Sequence, residues 1–251
     1  MSDTVQLAGA SVAGRHHQLA GRNNQDAFAW ERGREGLAAV VCDGCGSARH
    51  SEVGAQLCAR LLARELAAGV DRGGDPADDG FWRAALDEVL AVLGRLARAL
   101  GDVGEQLLCT AVGAVVTREA ARAFSIGDGL IVWNGNPTVL GPFAGNAPPY
   151  LGYALLGGPP ALVLHPPQAA SELRSIALGT DGAAALLDLA AARFPGSDEL
   201  VGPIESNWTD DRIFTNPDHL RRRLRRLARD VGREPGLLAD DATLVVIRRA
   251  P

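Results

Sequence analysis

Short apolar runs that end at glycine or aspartate recur along this chain and predict β-strands. One run covers residues 4–13, and another, residues 37–41, stops at the sequence CDGCG that begins at Cys42. The polar segment 15–26 between them is expected to be a loop that leads into a further strand. The pattern therefore places Asp43 at the carboxyl end of a buried strand.

Apolar residues at helical spacing predict two helices in the next segment. The first has Ser51 as its N-cap and ends near Gly69, and the second runs from about residue 81 to residue 100. The polar residues 71–80 between them are expected to form a loop. Two consecutive helices bracketed by strands can together cover one face of a sheet.

From residue 109 onward, short apolar runs separated by turn sequences predict antiparallel strands joined by hairpins. These strands are expected at residues 109–117, 121–126, 130–133, 138–140, 161–164, 176–178 and 243–247. A helix is expected from Thr180 to about residue 194, and another from Asn216 to about residue 230. The order of elements predicts an α+β layered sandwich and excludes a βαβ series.

The prolines bear on the number of domains. Eight of the fourteen lie between Pro137 and Pro167, which suits either an interdomain linker or long surface loops. Because apolar strand patterns resume after them, we predict one domain over residues 1–251, with its core at about residues 4–249.

Composition and charge narrow the class of protein. The chain has 251 residues, of which 47% are hydrophobic and 22% charged, as is usual for globular proteins. Its 25 basic residues are all arginine, and they face 30 acidic residues, a net charge of −5. This balance offers no general attraction to nucleic acid or to an acidic membrane surface. Residues 221–229 are rich in arginine, but leucines at helical spacing indicate a solvated amphipathic helix there.

No apolar segment approaches the length of a membrane span, and the first residues lack the basic start of a signal peptide. We therefore expect a cytoplasmic protein with no membrane partner. Cys42 and Cys45 form a CxxC pair, for which half a zinc site, a redox pair and two incidental cysteines are all conceivable. The incidental reading is favoured because no second CxxC or HxxxH accompanies the pair.

Five aspartates stand at strand ends or in the turns beside them. A single aspartate in a turn is usually a local cap, but five in such positions suggest carboxylates that converge. Convergent carboxylates repel one another unless cations neutralise them, and hard oxygen ligands suit Mg²⁺ or Mn²⁺. Two such ions can activate water for attack on a phosphate ester. The five are Asp26, Asp43, Asp128, Asp181 and Asp240.

Five stretches of the sequence also resemble one known family. They are GASVAGRHHQLAGRNNQDA from Gly9, VVCDGCGSARHSEVGAQL from Val40, FSIGDGLIVW from Phe124, ALGTDGAAALL from Ala177 and ADDATLVVI from Ala239. In this order and spacing, across residues 9–247, they resemble the metal-dependent PP2C-type (PPM) serine/threonine protein phosphatases, especially the compact bacterial branch. The resemblance implies a four-layer α-β-β-α sandwich of two antiparallel sheets flanked by helices, with Mn²⁺ or Mg²⁺ at one end.

The resemblance also implies roles for individual residues. Asp43 would bridge two metal ions, one of which would also bind the carbonyl of Gly44. Asp181 and Asp240 would complete the first ion's ligands, with support for Asp240 from the Thr243 hydroxyl. A weaker third ion would lie between Asp128 and Asp181. Asp26 would also belong to the metal site and would hold metal-bound water or a ligand in place.

Three positions depart from the pattern of many relatives. Gln25 stands where a glutamate is common, although the bacterial branch often has glutamine there. Cys45 occupies the position of a histidine proposed as general acid in eukaryotic members. The phosphate-binding arginine is best matched by Arg22 at a different spacing, with Arg15 as the reserve. His17 is expected either to order the metal site or to be an exposed loop residue.

The sequence thus predicts a phosphatase that hydrolyses phosphoserine and phosphothreonine esters by attack of a metal-bridging water. Asp43, Asp26 and Arg22 are the expected catalytic residues. The partners would be a phosphorylated protein and a bacterial Ser/Thr kinase, and the protein would be a monomer. The alternative, motivated by Gln25 and Cys45, is a pseudophosphatase that binds a phosphoprotein or a kinase. Substrate choice is expected to lie in residues 183–236.

Overall fold

Strands from the whole length of the chain form two antiparallel sheets in the computed structural model, which describes residues 5–250. The five-stranded sheet contains, in spatial order, β1 (Val5–Val12), β11 (Ala242–Arg249), β10 (Ser175–Gly179), β6 (Gly129–Trp133) and β7 (Asn136–Leu140). The six-stranded sheet contains β2 (Ala27–Arg32), β3 (Gly36–Cys42), β4 (Ala111–Thr117), β5 (Ala120–Ile126), β8 (Val163–Leu164) and, also paired with β5, β9 (Gln168–Ala169). Thr4, the predicted start of the first strand and of the core, lies outside the described residues. So do Met1 and Pro251, the two ends of the predicted domain.

Strand β3, in the interior of the six-stranded sheet, is apolar throughout and shows no alternation of polar and apolar residues. In β3, Leu37, Ala39 and Val41 belong to the apolar layer between the sheets. The intervening residues of β3 contact the helices on the outer face of the six-stranded sheet. A strand covered on both faces has no polar side to present, so every position is hydrophobic.

Helices cover the outer face of each sheet. The six-stranded sheet is covered by α2 (Ser51–Asp71) and α3 (Asp79–Leu100), whose apolar sides form one core cluster with it. The five-stranded sheet is covered by α8 (His219–Ala228), in which Leu220, Leu224 and Leu227 are buried. The short helices are α1 (Arg15–Ala20), α4 (Val103–Gln106), α5 (Asp181–Ala184), α6 (Ser206–Thr209) and α7 (Arg212–Thr215). The predicted four-layer α+β sandwich is confirmed, whereas the single domain stays a prediction.

The loop predicted at residues 15–26 is wrong in its first part, which forms α1. Gly21 ends this helix in a left-handed conformation. The N–H groups of Arg15 and His16 donate to the carbonyls of Leu238 and Ala239, at 2.9 and 3.0 Å. Hydrogen bonds from a distant segment therefore hold a turn of helix that local sequence does not favour.

The helix predicted over residues 180–194 is also wrong beyond its first turns. The α-helix ends at Ala184, one turn of 3₁₀ helix follows, and the rest is irregular. Phe194 is buried among the apolar residues that cover the five-stranded sheet, and its N–H donates to Glu199. Burial of that ring outweighs the helical propensity of the alanines and leucines before it.

Smaller differences concern helix ends. Ser51 is the first residue of α2, not its N-cap, because its hydroxyl donates to the carbonyl of Cys45 at 3.0 Å. The Arg-rich helix begins at His219, after the predicted Asn216, and ends at Ala228. Among residues 5–250, none of the helices is long and apolar enough to cross a bilayer.

Candidate metal centre

The five aspartates lie at one end of the sandwich because the strand register brings their neighbours together. Asp26 precedes β2 and Asp43 follows β3, and in this pair Ala27 lies opposite Cys42. Asp181 follows β10, whose last residue, Gly179, pairs with both β6 and β11 near the starts of those strands. Asp128 directly precedes β6, and Asp240 lies two residues before the first residue of β11. The fold thus gathers acids that are up to 214 residues apart in the sequence.

Four of these acids line a small cleft of about 70 Å³. A cavity that holds one water needs roughly 10–15 Å³ by the same kind of measure, so this cleft has room for a few ions or waters. The cleft is lined by His17, Gln25, Asp43, Gly44, Gly46, Asp128, Asn146, Pro148, Tyr150, Asp181 and Asp240. Asp26, which is 5% exposed, lies behind this lining.

Asp26 and Asp43 are buried against each other. Burial, together with the negative charges of Asp26, Asp181 and Asp240, holds the pKa of Asp43 well above its usual range. Burial raises the pKa of Asp26 to about 8, although the Thr180 hydroxyl donates to its Oδ2 at 2.7 Å. Its other oxygen, Oδ1, is buried without a hydrogen-bond partner.

The pKa values of Asp128 and Asp181 are raised as well. Burial and the charge of Asp181 raise the pKa of Asp128 to about 6, and one oxygen of Asp128 is buried without a partner. Burial and the charge of Asp240 raise the pKa of Asp181. Carboxylates in such a group ionise together only when cations neutralise them. Unpartnered carboxylate oxygens therefore fit hard divalent ions such as Mn²⁺ or Mg²⁺.

A hydroxyl network supports Asp26. The Thr180 hydroxyl, which donates to Asp26, accepts from the N–H of Thr243 at 3.1 Å. The Thr243 hydroxyl donates to Ser11 at 2.7 Å, and Ser11 also accepts from Asn24 at 2.6 Å. Thr243 was expected to support Asp240, but its contacts support Asp26 instead.

Asp241 is the residue that sequence reasoning missed. Its side chain is 3% exposed, and its two oxygens accept from the N–H groups of Gly14 at 2.7 Å and Gln25 at 2.6 Å. One oxygen also lies 2.8 Å from Nδ1 of His17. The doubled aspartate before β11 was the available signal, but only Asp240 was assigned a role.

Neither arginine candidate lines the cleft, and no other arginine among residues 5–250 does. Arg22 donates to the carbonyls of Gly46 at 2.7 Å and Ala48 at 2.6 Å. Arg15 pairs instead with Asp230, at 2.9 Å. Arg22 therefore binds the loop that carries Gly46, and its role with phosphate stays a prediction.

The two cysteines of the CxxC pair lie apart, in different apolar clusters. Cys42 is fully buried under α2 with Cys58 and Cys109, whereas Cys45 packs against Ala48 on the other side of the turn. All four cysteines are free thiols. Within residues 5–250, no cysteine belongs to a group of three or more side chains placed to hold a metal. This placement favours the incidental reading of the CxxC pair.

The loop between β7 and β8 reaches the cleft. It contributes Asn146, Pro148 and Tyr150 to the lining. Residues 183–236 cover the outer face of the five-stranded sheet, with Trp208 and Ile213 among their buried side chains. Their part in substrate choice stays a prediction.

A family model described as protein phosphatase 2C matches residues 13–225. The chain belongs to the protein phosphatase 2C family. The domain and the fold are those of the PP2C-type phosphatases, as the sequence predicted. A comparison with curated proteins found no match.

Solved structures share this PP2C fold at low sequence identity. Serine/threonine phosphatase Stp1 from Staphylococcus aureus has 14% identity and a TM-score of 0.60, over 98% of this chain and 96% of that chain. PppA, a regulatory component of T6SS in Pseudomonas aeruginosa, has 18% identity and a TM-score of 0.52 over 98% of both chains. The catalytic domain of the protein phosphatase PstP, solved with two manganese ions, has 16% identity and a TM-score of 0.55 over 99% of both chains.

Proposed function

We propose that this chain is a metal-dependent phosphatase that hydrolyses phosphoserine and phosphothreonine esters in proteins. The observation that carries the proposal is the group of aspartates at one end of the sandwich, two of which, Asp26 and Asp128, are buried and have an oxygen without a partner. Membership of the PP2C family supports the reaction class. The two manganese ions of the PstP domain support the choice of Mn²⁺ or Mg²⁺.

In this proposal Asp43 and the Gly44 carbonyl would hold the metal ions, with Asp43 shared between two of them. Asp181 and Asp240 would hold the first ion as well, and Asp128 would join Asp181 at a third, weaker position. The chemistry of the donors supports this set, since all are hard oxygens and the lining is acidic. When bound, the ions would lower the pKa of a water molecule and neutralise the phosphate group.

The chain's own residues then hold and orient the reacting groups. Asp26 is fixed by Thr180 and lies against Asp43, so it can keep that carboxylate in one orientation. Arg22 uses two of its five N–H groups on the carbonyls of Gly46 and Ala48, which leaves donors for a phosphate oxygen. We propose both as catalytic-site residues, Arg22 for binding phosphate.

The wider setting is also proposed. The substrate would be a phosphorylated protein, with a bacterial Ser/Thr kinase as the opposing enzyme. The protein would act as a monomer in the cytoplasm and bind neither nucleic acid nor membrane. The net charge of −5 supports the last two points.

The substitution Asp43→Asn tests the proposed reaction. It should lower Mn²⁺-dependent hydrolysis of p-nitrophenyl phosphate and of a phosphothreonine peptide by about a hundredfold or more, because the bridging charge is lost. The exposed aspartate Asp87 on α3 makes no side-chain hydrogen bond among the described residues, so Asp87→Asn is the matched control and should keep full activity. Equal turnover by the wild type and a folded Asp43→Asn variant would refute the assignment.

A second candidate is the regulatory pseudophosphatase. Gln25 favours it, because this side chain in the cleft lining is neutral, and its amide N–H donates to the carbonyl of Ala48 at 2.9 Å. Calorimetry separates the two functions. The phosphatase requires Mn²⁺ binding, whereas the binding module would bind a phosphopeptide tightly without measurable Mn²⁺ binding.

A further inference from the structure

A buried carboxylate fixes His17 on α1. Nδ1 of His17 lies 2.8 Å from Oδ2 of Asp241. That carboxylate also accepts from the N–H group of Gly14, the N-cap residue of α1, and from the N–H group of Gln25, two residues before β2. Three contacts therefore hold Asp241 in one orientation, and Asp241 in turn sets the orientation of the imidazole.

The same contact selects the ring nitrogen that carries hydrogen. An ionised carboxylate can only accept, so Nδ1 of His17 is the donor to Asp241. In the neutral ring, Nε2 then keeps its lone pair. Among residues 5–250, Asp241 is the only hydrogen-bond partner of the His17 side chain, so Nε2 is free to bind a ligand.

His17 also belongs to the metal cleft. It lines the cleft together with Asp43 and Asp240, and its side chain is only 12% exposed. A ring nitrogen of His17 and carboxylate oxygens of Asp240 and Asp241 lie within 4.8 Å of one another. The imidazole of His17 therefore stands beside the Asp240 carboxylate where both line the cleft.

We propose that Nε2 of His17 is a direct ligand of the metal ion held by Asp240. Metal-binding histidines commonly donate their second ring N–H to a carboxylate, which orients the ring and raises its basicity. The pair of His17 and Asp241 has this arrangement. The inference rests on the proposed metal site and adds a nitrogen donor to a set of oxygens.

A nitrogen ligand has a consequence for metal choice. Mg²⁺ prefers oxygen donors, whereas first-row transition ions also bind imidazole well. His17 should therefore favour Mn²⁺ over Mg²⁺ at this position. The same proposal explains why Asp241 is buried, since Asp241 would hold the imidazole ring of a metal ligand in place.

The test compares His17→Gln with His16→Gln in the full chain. His16 is the preceding residue of α1 and is exposed, so it is a matched control for the loss of one histidine. Pulsed electron paramagnetic resonance of bound Mn²⁺ should show coupling to a directly bound nitrogen in the wild type and in His16→Gln, but not in His17→Gln. Calorimetry should show Mn²⁺ binding weakened about tenfold or more in His17→Gln, with a smaller change for Mg²⁺.

The wild-type spectrum keeps the test decisive even if His17→Gln fails to fold. Bound Mn²⁺ without nitrogen coupling in the wild type would overturn the inference and leave the proposed function standing. An unchanged Mn²⁺ affinity in a folded His17→Gln variant would also overturn it. No Mn²⁺ binding by the wild type would overturn both the inference and the proposed metal site.

Discussion

Burial raises the pKa of four aspartates at this end of the sandwich, Asp26, Asp43, Asp128 and Asp181, so bound cations would stabilise their charged forms. At Asp26 burial raises the pKa to about 8, and one of its oxygens has no partner. Asp241, one residue from a proposed ligand, has hydrogen bonds at both oxygens instead. An aspartate with an unpartnered oxygen, such as Asp26, is stabilised by a cation, whereas Asp241, with hydrogen bonds at both oxygens, supports the site without one.

Arg22 carries a prediction at the same scale. If its remaining donors bind phosphate, Arg22→Ala should raise the inhibition constant of inorganic phosphate about tenfold or more, since a hydrogen bond to a charged group contributes roughly 1.5–3 kcal/mol. The exposed Arg49, in the loop that Arg22 contacts, provides the control Arg49→Ala. Steady-state kinetics with p-nitrophenyl phosphate, in the presence of inorganic phosphate, measure the inhibition constant of each variant.

A purely structural role of Arg22 gives a different result. Losing its bonds to Gly46 and Ala48 would then lower kcat through a displaced loop, and phosphate would inhibit as strongly as before. That combination would exclude Arg22 as the phosphate-binding residue.

At the scale of elements, the site depends on how closely the segment before α1 approaches the segment before β11. Gly14 lies against the backbone of Asp240, and a Cβ atom there would overlap the Asp240 carbonyl. Its N–H also donates to the buried Asp241. A glycine is required at this point because of the close approach of two backbones, which also sets the positions of Asp240 and His17.

Gly14→Ala should therefore destabilise the protein by about 2–3 kcal/mol, because the two backbones must move apart. Gly46→Ala is the control, since a Cβ at Gly46 meets no described atom within 4 Å. Urea unfolding of both variants measures the free energies. A Gly14→Ala variant as stable as Gly46→Ala would contradict the close contact on which the position of Asp240 depends.

The sequence predicts elements where local pattern decides them. The strands, α2 and α3 follow from apolar runs and helical spacing, and the turns between strands place the aspartates. It could not predict α1, whose first N–H groups bond to Leu238 and Ala239, more than 220 residues away. The roles of Asp241 and Thr243 depend on contacts of the same long range, so they too required the structure.

For the whole molecule, the acid cleft changes the meaning of the net charge. The formal value of −5 counts aspartates that would face bound cations. Two or three divalent ions would contribute about +4 to +6, which is close to the full deficit. The charge read from the sequence therefore describes the metal-free chain, and the charge that a phosphoprotein meets would be nearer to neutral.

The central claim is that the strand ends of both sheets together hold divalent metal ions. Crystals grown in millimolar Mn²⁺ and measured at the manganese absorption edge test it most directly. Anomalous density should show at least two Mn²⁺ ions in the cleft, both next to Asp43 and one also next to Asp181 and Asp240. A cleft without anomalous density under these conditions, or Mn²⁺ bound only elsewhere on the surface, would contradict it.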